Sequence, residues 1–191
     1  MNATILNGAL AGDCAVDAVN NILKGELVAQ GWQVRSWLLR QEKVAFCLGC
    51  FECWVKSPGL CRIDDVGRDV AESVIASDLA IYLTPITFGG YSSELKKAVD
   101  RSICLISPFF QRIDGEVHHH ARYKHFPRLL GVGVLPAPDA EQEEIFCTLV
   151  SRNAINMHAP AQQALVLYNG QSTDEISALL QPVLFEGRAL A

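Results

Sequence analysis

Short apolar runs alternate with longer segments of helical periodicity along most of the chain. Four runs are almost entirely apolar, as is typical of parallel strands covered on both faces, and they comprise residues 3–6, 79–83, 129–135 and 164–168. Residues 32–38 alternate in part between apolar and polar positions and predict a less buried strand. The pattern therefore predicts five strands.

Each predicted strand is followed by apolar residues at helical spacing, directly or after an interruption. The apolar faces of the five predicted helices are Val16, Val19, Leu23 and Leu27; Val66, Val70 and Val74; Leu95, Ala98 and Val99; Ile145, Phe146, Leu149 and Val150; and Ile176, Leu179, Leu180 and Val183. The predicted caps are Asp13, Asp64 or Asp65, Ser92 or Ser93, and the capping boxes Asp139 with Gln142 and Ser172 with Glu175. Alternating strands and helices predict a single α/β domain over residues 1–191, with a parallel sheet covered by helices on both faces.

Two segments interrupt this alternation. A cysteine-rich insertion occupies about residues 45–63, and an excursion rich in His, Arg and aromatic residues, predicted to be irregular, occupies about 103–127. The histidines at 118–120 and 125 have no fixed helical spacing, so we interpret them as part of a loop near a ligand or a subunit contact. Asp100 and Arg101 close a predicted helix and are interpreted as an ion pair or an interface contact.

Ligands of open parallel sheets bind beyond the carboxyl ends of the strands, where the strand order reverses. The loop after the first strand contains Gly8 and Gly12 and leads into a helix, whose first amide groups suit an anion. It lacks both the GxGxxG pattern and the lysine of an ATP-binding loop, so an ordinary strand–helix turn is the alternative interpretation. The loop at 84–92 contains Phe88, a Gly-Gly pair and Tyr91, and its apolar surface and amides suit a flat ring; alternatively the aromatics fill the edge of the core.

Composition narrows the class of protein. The 191 residues are 50% hydrophobic and 19% charged, which predicts a folded domain, and a net charge of -5 argues against a nucleic-acid partner. The chain shows neither a signal-peptide pattern nor about 20 consecutive apolar residues, so we expect a cytoplasmic protein without a membrane partner. In that reducing compartment seven cysteines indicate metal or redox chemistry rather than disulfides.

Four of the cysteines form a spaced set, C-x2-C-x2-C-x7-C, at Cys47, Cys50, Cys53 and Cys61. Bacterial ferredoxins use the same tight run for a [4Fe–4S] cluster, whereas zinc sites more often use two separated C-x2-C pairs. A cluster is the leading interpretation; a zinc site, a catalytic dithiol and unliganded thiols remain open. The other three, Cys14, Cys104 and Cys147, are predicted to be buried on helices.

Two motifs in a fixed order resemble a known family. The cysteine motif is followed by Thr84-Pro85-x-x-Phe88-Gly89-Gly90-Tyr91-Ser92-Ser93-Glu94-Leu95-Lys96-Lys97 and by Asp100-Arg101. This combination is similar to the iron–sulfur flavoprotein branch of the NADPH-dependent FMN reductase superfamily. The resemblance implies a flavodoxin-like three-layer sandwich with sheet order 2-1-3-4-5, FMN as cofactor, and a homodimer or tetramer.

The resemblance also implies the site residues. The FMN phosphate is expected at Gly8, Ala9, Leu10, Asp13, Cys14 and Ala15; the isoalloxazine ring at Pro85, Ile86, Thr87, Phe88, Gly89, Gly90 and Tyr91; and the cluster ligands are Cys47, Cys50, Cys53 and Cys61. Ala9 stands where the family usually has serine, and Asp13 and Cys14 stand where small polar residues are common. A carboxylate beside a phosphate is unfavourable unless it turns away to cap the helix.

The hypothesis is therefore an FMN-dependent oxidoreductase or electron-transfer flavoprotein, with a [4Fe–4S] cluster on the cysteine motif. It would exchange electrons with NAD(P)H and with a small-molecule or electron-carrier partner, and no side chain stands out as a catalytic acid or base. One alternative is a cluster-free NAD(P)H-dependent quinone or flavin reductase. Another is a non-enzymatic flavodoxin-like module with structural zinc.

Overall fold

A computed structural model describes residues 1–113 and 115–185. Residue 114 of the predicted excursion and residues 186–191 of the predicted domain lie outside the described residues. The strands are β1 (Asn2–Asn7), β2 (Gln33–Leu38), β3 (Leu79–Pro85), β4 (Ile106–Ile113), β5 (Glu116–Ala121), β6 (Arg128–Leu135) and β7 (Gln162–Tyr168). The helices are α1 (Cys14–Ala29), α2 (Glu52–Val55), α3 (Gly67–Ile75), α4 (Ser93–Arg101), α5 (Ala140–Asn156) and α6 (Thr173–Phe185), and short 3-10 turns cover Leu39–Gln41 and Ser102–Leu105.

The five predicted strands form one parallel sheet in the order β2-β1-β3-β6-β7. Because β6 and β7 are the fourth and fifth strands of this sheet, the order is the predicted flavodoxin-like 2-1-3-4-5. The strand order reverses between β1 and β3, where Ile5 pairs with Ile81. The sheet's topological switch point therefore lies at the carboxyl ends of these two strands.

Two apolar clusters cover the two faces of the sheet. On one face, Leu23 of α1 and Leu180 of α6 are buried against Ile81 of β3 and its neighbours. On the other, apolar residues of α3, α4 and α5, among them Phe146, pack on the opposite side chains of the same strands. This is the predicted three-layer arrangement, and it explains why the central strands are apolar throughout. No helix in the described part of the chain has the length and apolarity needed to cross a membrane.

Most of the predicted helix caps are present. Three side chains accept a hydrogen bond from a backbone nitrogen in the first turn of their helix: Asp13 from Val16, Ser92 from Leu95 and Asp139 from Gln142. Ser172 forms its predicted capping box with Glu175. The box at α5 is closed by Glu143, whose Oε1 accepts from the Asp139 nitrogen at 3.0 Å, and not by Gln142 as predicted. At α3, Asp65 accepts from the Gly67 nitrogen while Asp64 pairs with Arg68.

The prediction of an irregular excursion at 103–127 is wrong. β4 and β5 form an antiparallel hairpin, with Phe110 opposite His119 and Arg112 opposite Val117. The hydrophobic pattern is inverted here, because Phe110 and Val117 are exposed while His118 is only 6% exposed. A prediction that places apolar residues inside cannot recognise such a hairpin.

Candidate functional site

The loops after β1 and β3 touch each other at the switch point. The Gly8 nitrogen donates to the Leu83 carbonyl at 2.7 Å, and Ser92 Oγ donates to the Gly8 carbonyl at 2.5 Å. A Cβ at position 8 would lie 2.6 Å from the Leu95 Cβ, so only glycine permits this approach. Gly8 thus joins the two loops, a role that its place in a predicted phosphate loop did not reveal.

The tip of the β1–α1 loop offers unused amide groups. The backbone nitrogens of Leu10, Ala11 and Gly12 have no acceptor among the described residues, and all three residues are exposed. Gly12 has φ +81°, with open space where a side chain would project. The neighbouring Ala9 nitrogen is already bound by Asn7 Oδ1 at 2.8 Å. Successive free amides ahead of a helix are suited to bind an anionic group.

Two carboxylates flank this loop. Asp13 caps α1, its Oδ1 accepting from the Val16 nitrogen at 3.2 Å, which is the orientation expected if it turns away from a phosphate. Asp17, in the first turn, is neutralised by Arg40, whose two terminal nitrogens lie 2.9 and 2.8 Å from its oxygens. Asp13 has no cationic partner among the described residues. Cys14 beside it is exposed, so the prediction of a buried Cys14 is wrong.

The β3–α4 loop is a tight turn that presents one aromatic ring. Thr87 and Gly90 exchange backbone hydrogen bonds of 3.0 and 2.9 Å. Between them Phe88 has φ +51° and is 94% exposed. Pro85 at the end of β3 is half-buried and Thr87 is exposed. Phe88 is therefore the large apolar side chain that this loop offers to a flat ligand.

Two residues of the same loop point into the core. Ile86 is buried, and its Cδ1 would lie 2.5 Å from a Cβ at Gly133.

Tyr91 packs edge-on against Tyr82 and Phe146 with centroid separations of 6.0 and 6.1 Å, and its burial raises the pKa of the phenol. The alternative that the aromatics fill the core edge therefore holds for Tyr91 but not for Phe88. Gly89 lies against Ile145, which leaves no room for a side chain.

The cysteine motif encloses a cavity. Cys47, Cys50, Cys53 and Cys61 all line one apolar cavity of about 110 Å³, together with Phe51 and Arg101 among others. Gly49 and Phe51 adopt left-handed conformations, with φ +60° and +56°, and the turn at Phe51 starts the short helix α2 that carries Cys53. The Gly59 nitrogen then donates to the Cys53 carbonyl at 2.9 Å, which returns the chain so that Cys61 closes the set.

The four thiols are close enough to influence one another. Burial raises the pKa of the Cys53 thiol, and the charges of Cys61, Cys47 and Cys50 raise it further. A cationic centre would relieve this repulsion between thiolates. No three Cys, His, Asp or Glu side chains among the described residues are arranged to hold a single metal ion. What the structure shows is four thiols around a shared volume.

A fifth thiol lies beside this set. Cys104 is buried as predicted, and burial foremost, then the charges of Cys53 and Cys61, raise its pKa to about 11. Cys147 is exposed on α5, so the prediction that it is buried is wrong. The scattered cysteines are therefore not one packing population.

Arg101 ties the cysteine segment to α4. Its terminal nitrogens donate to both oxygens of Asp65 at 3.0 and 2.8 Å and to the carbonyls of Ala45 at 3.1 Å and Ile63 at 3.2 Å. Burial opposes the charge of Arg101, but its bonds with Asp65 and the neighbouring Cys61 raise its pKa overall. The pairing with Asp100 suggested from sequence is not formed, because Asp100 pairs with Lys96.

A row of rings leads from the cysteine segment to the hairpin. Phe51 stacks on Trp54 at 4.9 Å, Trp54 meets His119 at 4.7 Å, and His119 meets Phe110 at 4.6 Å. His119 therefore packs against aromatic rings rather than lying in a loop. The adjacent His118 has oxygen acceptors on both ring nitrogens, Asn156 and Glu116 at 2.9 Å each, and these bonds raise its pKa.

Comparison with known proteins agrees with this architecture. Residues 1–124 match the family described as NADPH-dependent FMN reductase. An iron–sulfur flavoprotein of Methanocaldococcus jannaschii is 32% identical over 93 residues, which cover 49% of this chain and 44% of the relative. The chain thus spans less than half the length of this curated relative.

Solved structures share the fold at low identity. The NAD(P)H:quinone oxidoreductase from Methanothermobacter marburgensis superposes with a TM-score of 0.69 at 13% identity, over 100% of this chain and 96% of that one. An FMN-dependent NADH-azoreductase from Bacillus anthracis, solved in complex with FMN, gives 0.64 at 13% identity over 98% and 97%. Since the family match covers well over half of the residues, this chain belongs to the NADPH-dependent FMN reductase family.

Proposed function

We propose that this protein is an FMN-dependent oxidoreductase that takes electrons from NAD(P)H. The observation that carries the proposal is the meeting of the β1–α1 and β3–α4 loops at the switch point, where Ser92 Oγ bonds to the Gly8 carbonyl. Flat cofactors with a phosphate bind at this position in doubly wound sheets. The family description and the FMN-bound azoreductase of similar fold support the choice of FMN.

The residues present fit FMN. The free amides of residues 10–12 would hold the phosphate, and Phe88 would give the isoalloxazine ring an apolar surface. Bound FMN would supply the hydride and single-electron chemistry, while the chain binds and orients it. Asp13 works against the phosphate charge but keeps the helix capped.

Flavin titration tests the proposal. Oxidised FMN added to purified protein should be bound, and anaerobic NADPH or NADH should bleach its visible absorbance. Phe88→Ala should weaken FMN binding at least about fivefold, since burying a Phe side chain contributes about 1.5–3 kcal/mol. Phe109→Ala is the matched control, because Phe109 is also a largely exposed phenylalanine but lies on the β4–β5 hairpin. A protein that binds no FMN, or FMN that neither nicotinamide reduces, overturns the proposal.

We also propose that Cys47, Cys50, Cys53 and Cys61 hold a [4Fe–4S] cluster. The support is their common lining of one apolar cavity and the iron–sulfur flavoprotein relative, whose match includes about half of this chain. A cluster beside a flavin passes single electrons, so the protein would serve a one-electron carrier as well as a small molecule.

Iron and acid-labile sulfide, measured after anaerobic purification, decide between the alternatives. About four of each per chain are expected. Cys50→Ser should abolish them, whereas Cys147→Ser, at an exposed cysteine of α5, should not. Less than about one iron per chain with bound FMN favours a cluster-free quinone or flavin reductase. Zinc without flavin favours a structural module.

The oligomeric state and compartment stay predictions. We propose a homodimer or tetramer in the cytoplasm. Light scattering of the purified protein tests the first part, and a monomer at all concentrations would contradict it. Fractionation of the source cells tests the second.

A further inference from the structure

Arg101 lies at the end of α4 with its side chain inside the protein. The residue is 2% exposed and lines the cavity that the four cysteines share. An arginine has five N–H donors in a fixed fork and cannot lose its charge at ordinary pH. Because buried polar groups normally all form hydrogen bonds, each N–H of this guanidinium is expected to have an acceptor.

Four of the five donors have acceptors. Those on the two terminal nitrogens reach Asp65 and the carbonyls of Ala45 and Ile63. The two carbonyls lie on either side of the cysteine motif, one just before Cys47 and one just after Cys61. Arg101 therefore fastens both ends of the segment to each other and to α4.

The fifth donor has none. The Nε atom of Arg101 is buried and meets no acceptor at full hydrogen-bond geometry among the described residues. Cys61 is nevertheless close enough to interact with the guanidinium, because its charge and its sulfur both raise the pKa of Arg101. The cavity beside it offers sulfur atoms, and a thiolate accepts a charge-assisted hydrogen bond where a thiol barely does. The hydrogen bonds of Arg101 to Asp65, Ala45 and Ile63, which we call the clamp, use four of the donors and leave the Nε–H without a role.

We propose that Arg101 is a positioning residue of the cysteine site whose Nε–H donates to a thiolate sulfur, with Cys61 as the candidate acceptor. This inference rests on the proposed function, since it requires the cysteines to be thiolate ligands. Four thiolates around an iron–sulfur core leave a net negative group. The charge of Arg101 is already paired with Asp65, so its remaining N–H is what is suited to stabilise that group. Hydrogen bonds to the sulfurs of such clusters raise their reduction potentials.

The test compares three variants with the wild-type protein after anaerobic reconstitution with iron and sulfide. Arg101→Met removes the charge and the donor, and Arg101→Lys keeps the charge but not the Nε–H. Asp65→Asn loosens the clamp and keeps Nε–H. Arg152→Met, which breaks the exposed pair between Arg152 and Glu116 outside the lining of the cysteine cavity, is the control.

The reduction potential of the cluster, measured by spectroelectrochemistry on fully loaded protein, is the main readout. Arg101→Met should shift the reduction equilibrium about tenfold toward the oxidised form, equal to about 59 mV lower for one electron. The reduction potential of Arg101→Lys should lie between those of Arg101→Met and the wild type. Asp65→Asn should lower thermal stability with a potential at or above that of the wild type, which a purely structural role for Arg101 does not predict.

Cadmium(II) binding to the thiolates of the iron-free, reduced protein provides a second readout that needs no cluster and, since two thiolates suffice to give the absorption, no three-ligand site. Titration followed by thiolate-to-cadmium absorption should give a dissociation constant about tenfold larger in Arg101→Met than in the wild type. The dissociation constant of Arg152→Met should equal that of the wild type. Unaltered potential and unaltered cadmium affinity in both Arg101 variants overturn the inference. A wild-type protein that takes up no iron but shows the cadmium difference overturns the cluster and retains Arg101; one that binds neither overturns both. If Arg101→Met does not fold, Arg101→Lys decides.

Discussion

Replacing Asp13 by serine should tighten the binding of FMN. The side chain caps α1 through a hydrogen bond of 3.2 Å from the Val16 nitrogen, which places its charge within one turn of the free amides at residues 10–12. Two unit charges at 4–8 Å repel by about 0.5–1 kcal/mol even in bulk water. A phosphate monoester carries nearly two charges at neutral pH, so the carboxylate opposes its binding by about 1–2 kcal/mol.

This repulsion corresponds to a five- to thirtyfold change in the dissociation constant. Serine is as good a cap as aspartate, so the Asp13→Ser protein should lose at most about 1 kcal/mol of stability, mainly from the lost interaction with the helix dipole. Because salt screens charges near the surface, the gain in affinity should shrink as ionic strength rises.

Fluorescence titration with FMN and with riboflavin, at low and high salt, checks the prediction. Riboflavin has the same ring without the phosphate, so its affinity should be unchanged by Asp13→Ser. An equal gain for both flavins would refute the electrostatic reasoning, as would no gain for FMN at low salt. Either result would show that the phosphate is not held at the loop after β1.

Three further outcomes follow from the packing and titration of single residues. Gly131→Ala should destabilise the fold by about 1–3 kcal/mol in urea unfolding, because its Cβ would overlap the Val150 side chain, and Val150→Ala should recover much of this loss in the double variant. The stabilisation from protonated His118 should be complete below about pH 6.5 and lost as the pH rises through its raised pKa, so the unfolding free energy should decline toward pH 8 in the wild type but not in His118→Asn. Iodoacetamide followed by mass spectrometry should label exposed Cys14 at pH 8 and leave Cys104, with its pKa of about 11, unlabelled; rapid labelling of Cys104 would contradict its burial.

The parallel sheet and its helices could be predicted because their hydrophobic pattern matches their burial. Ile5 and Ile81 lie in runs that are apolar throughout, and both are buried between two helical layers. The hairpin could not be predicted, since it exposes Phe110 and buries His118. The prediction from residue type was wrong where a polar side chain is buried because it has hydrogen-bond partners there, as His118 has.

The candidate site likewise has one feature that could be predicted from the sequence and others that could not. The four cysteines of one cavity were recognisable from local spacing. The Arg101–Asp65 clamp spans 36 positions, and nothing in the sequence indicates which carboxylate Arg101 will meet. Cys147 was predicted to be buried because free cysteines on helices usually are. It lies one residue beyond buried Phe146, and one residue turns a helix by about 100°, which places it on the exposed side.

The left-handed conformation of Phe88 has a consequence for anyone who improves this protein by selection. An L-residue with a side chain pays about 1–2 kcal/mol to hold such a backbone, and glycine does not. Because Phe88 is 94% exposed, little packing in the isolated chain offsets that cost. A screen for heat resistance alone would therefore favour Phe88→Gly and yield a sturdier protein without the ring on which we expect the flavin to rest. Thermostability and cofactor retention should be selected together.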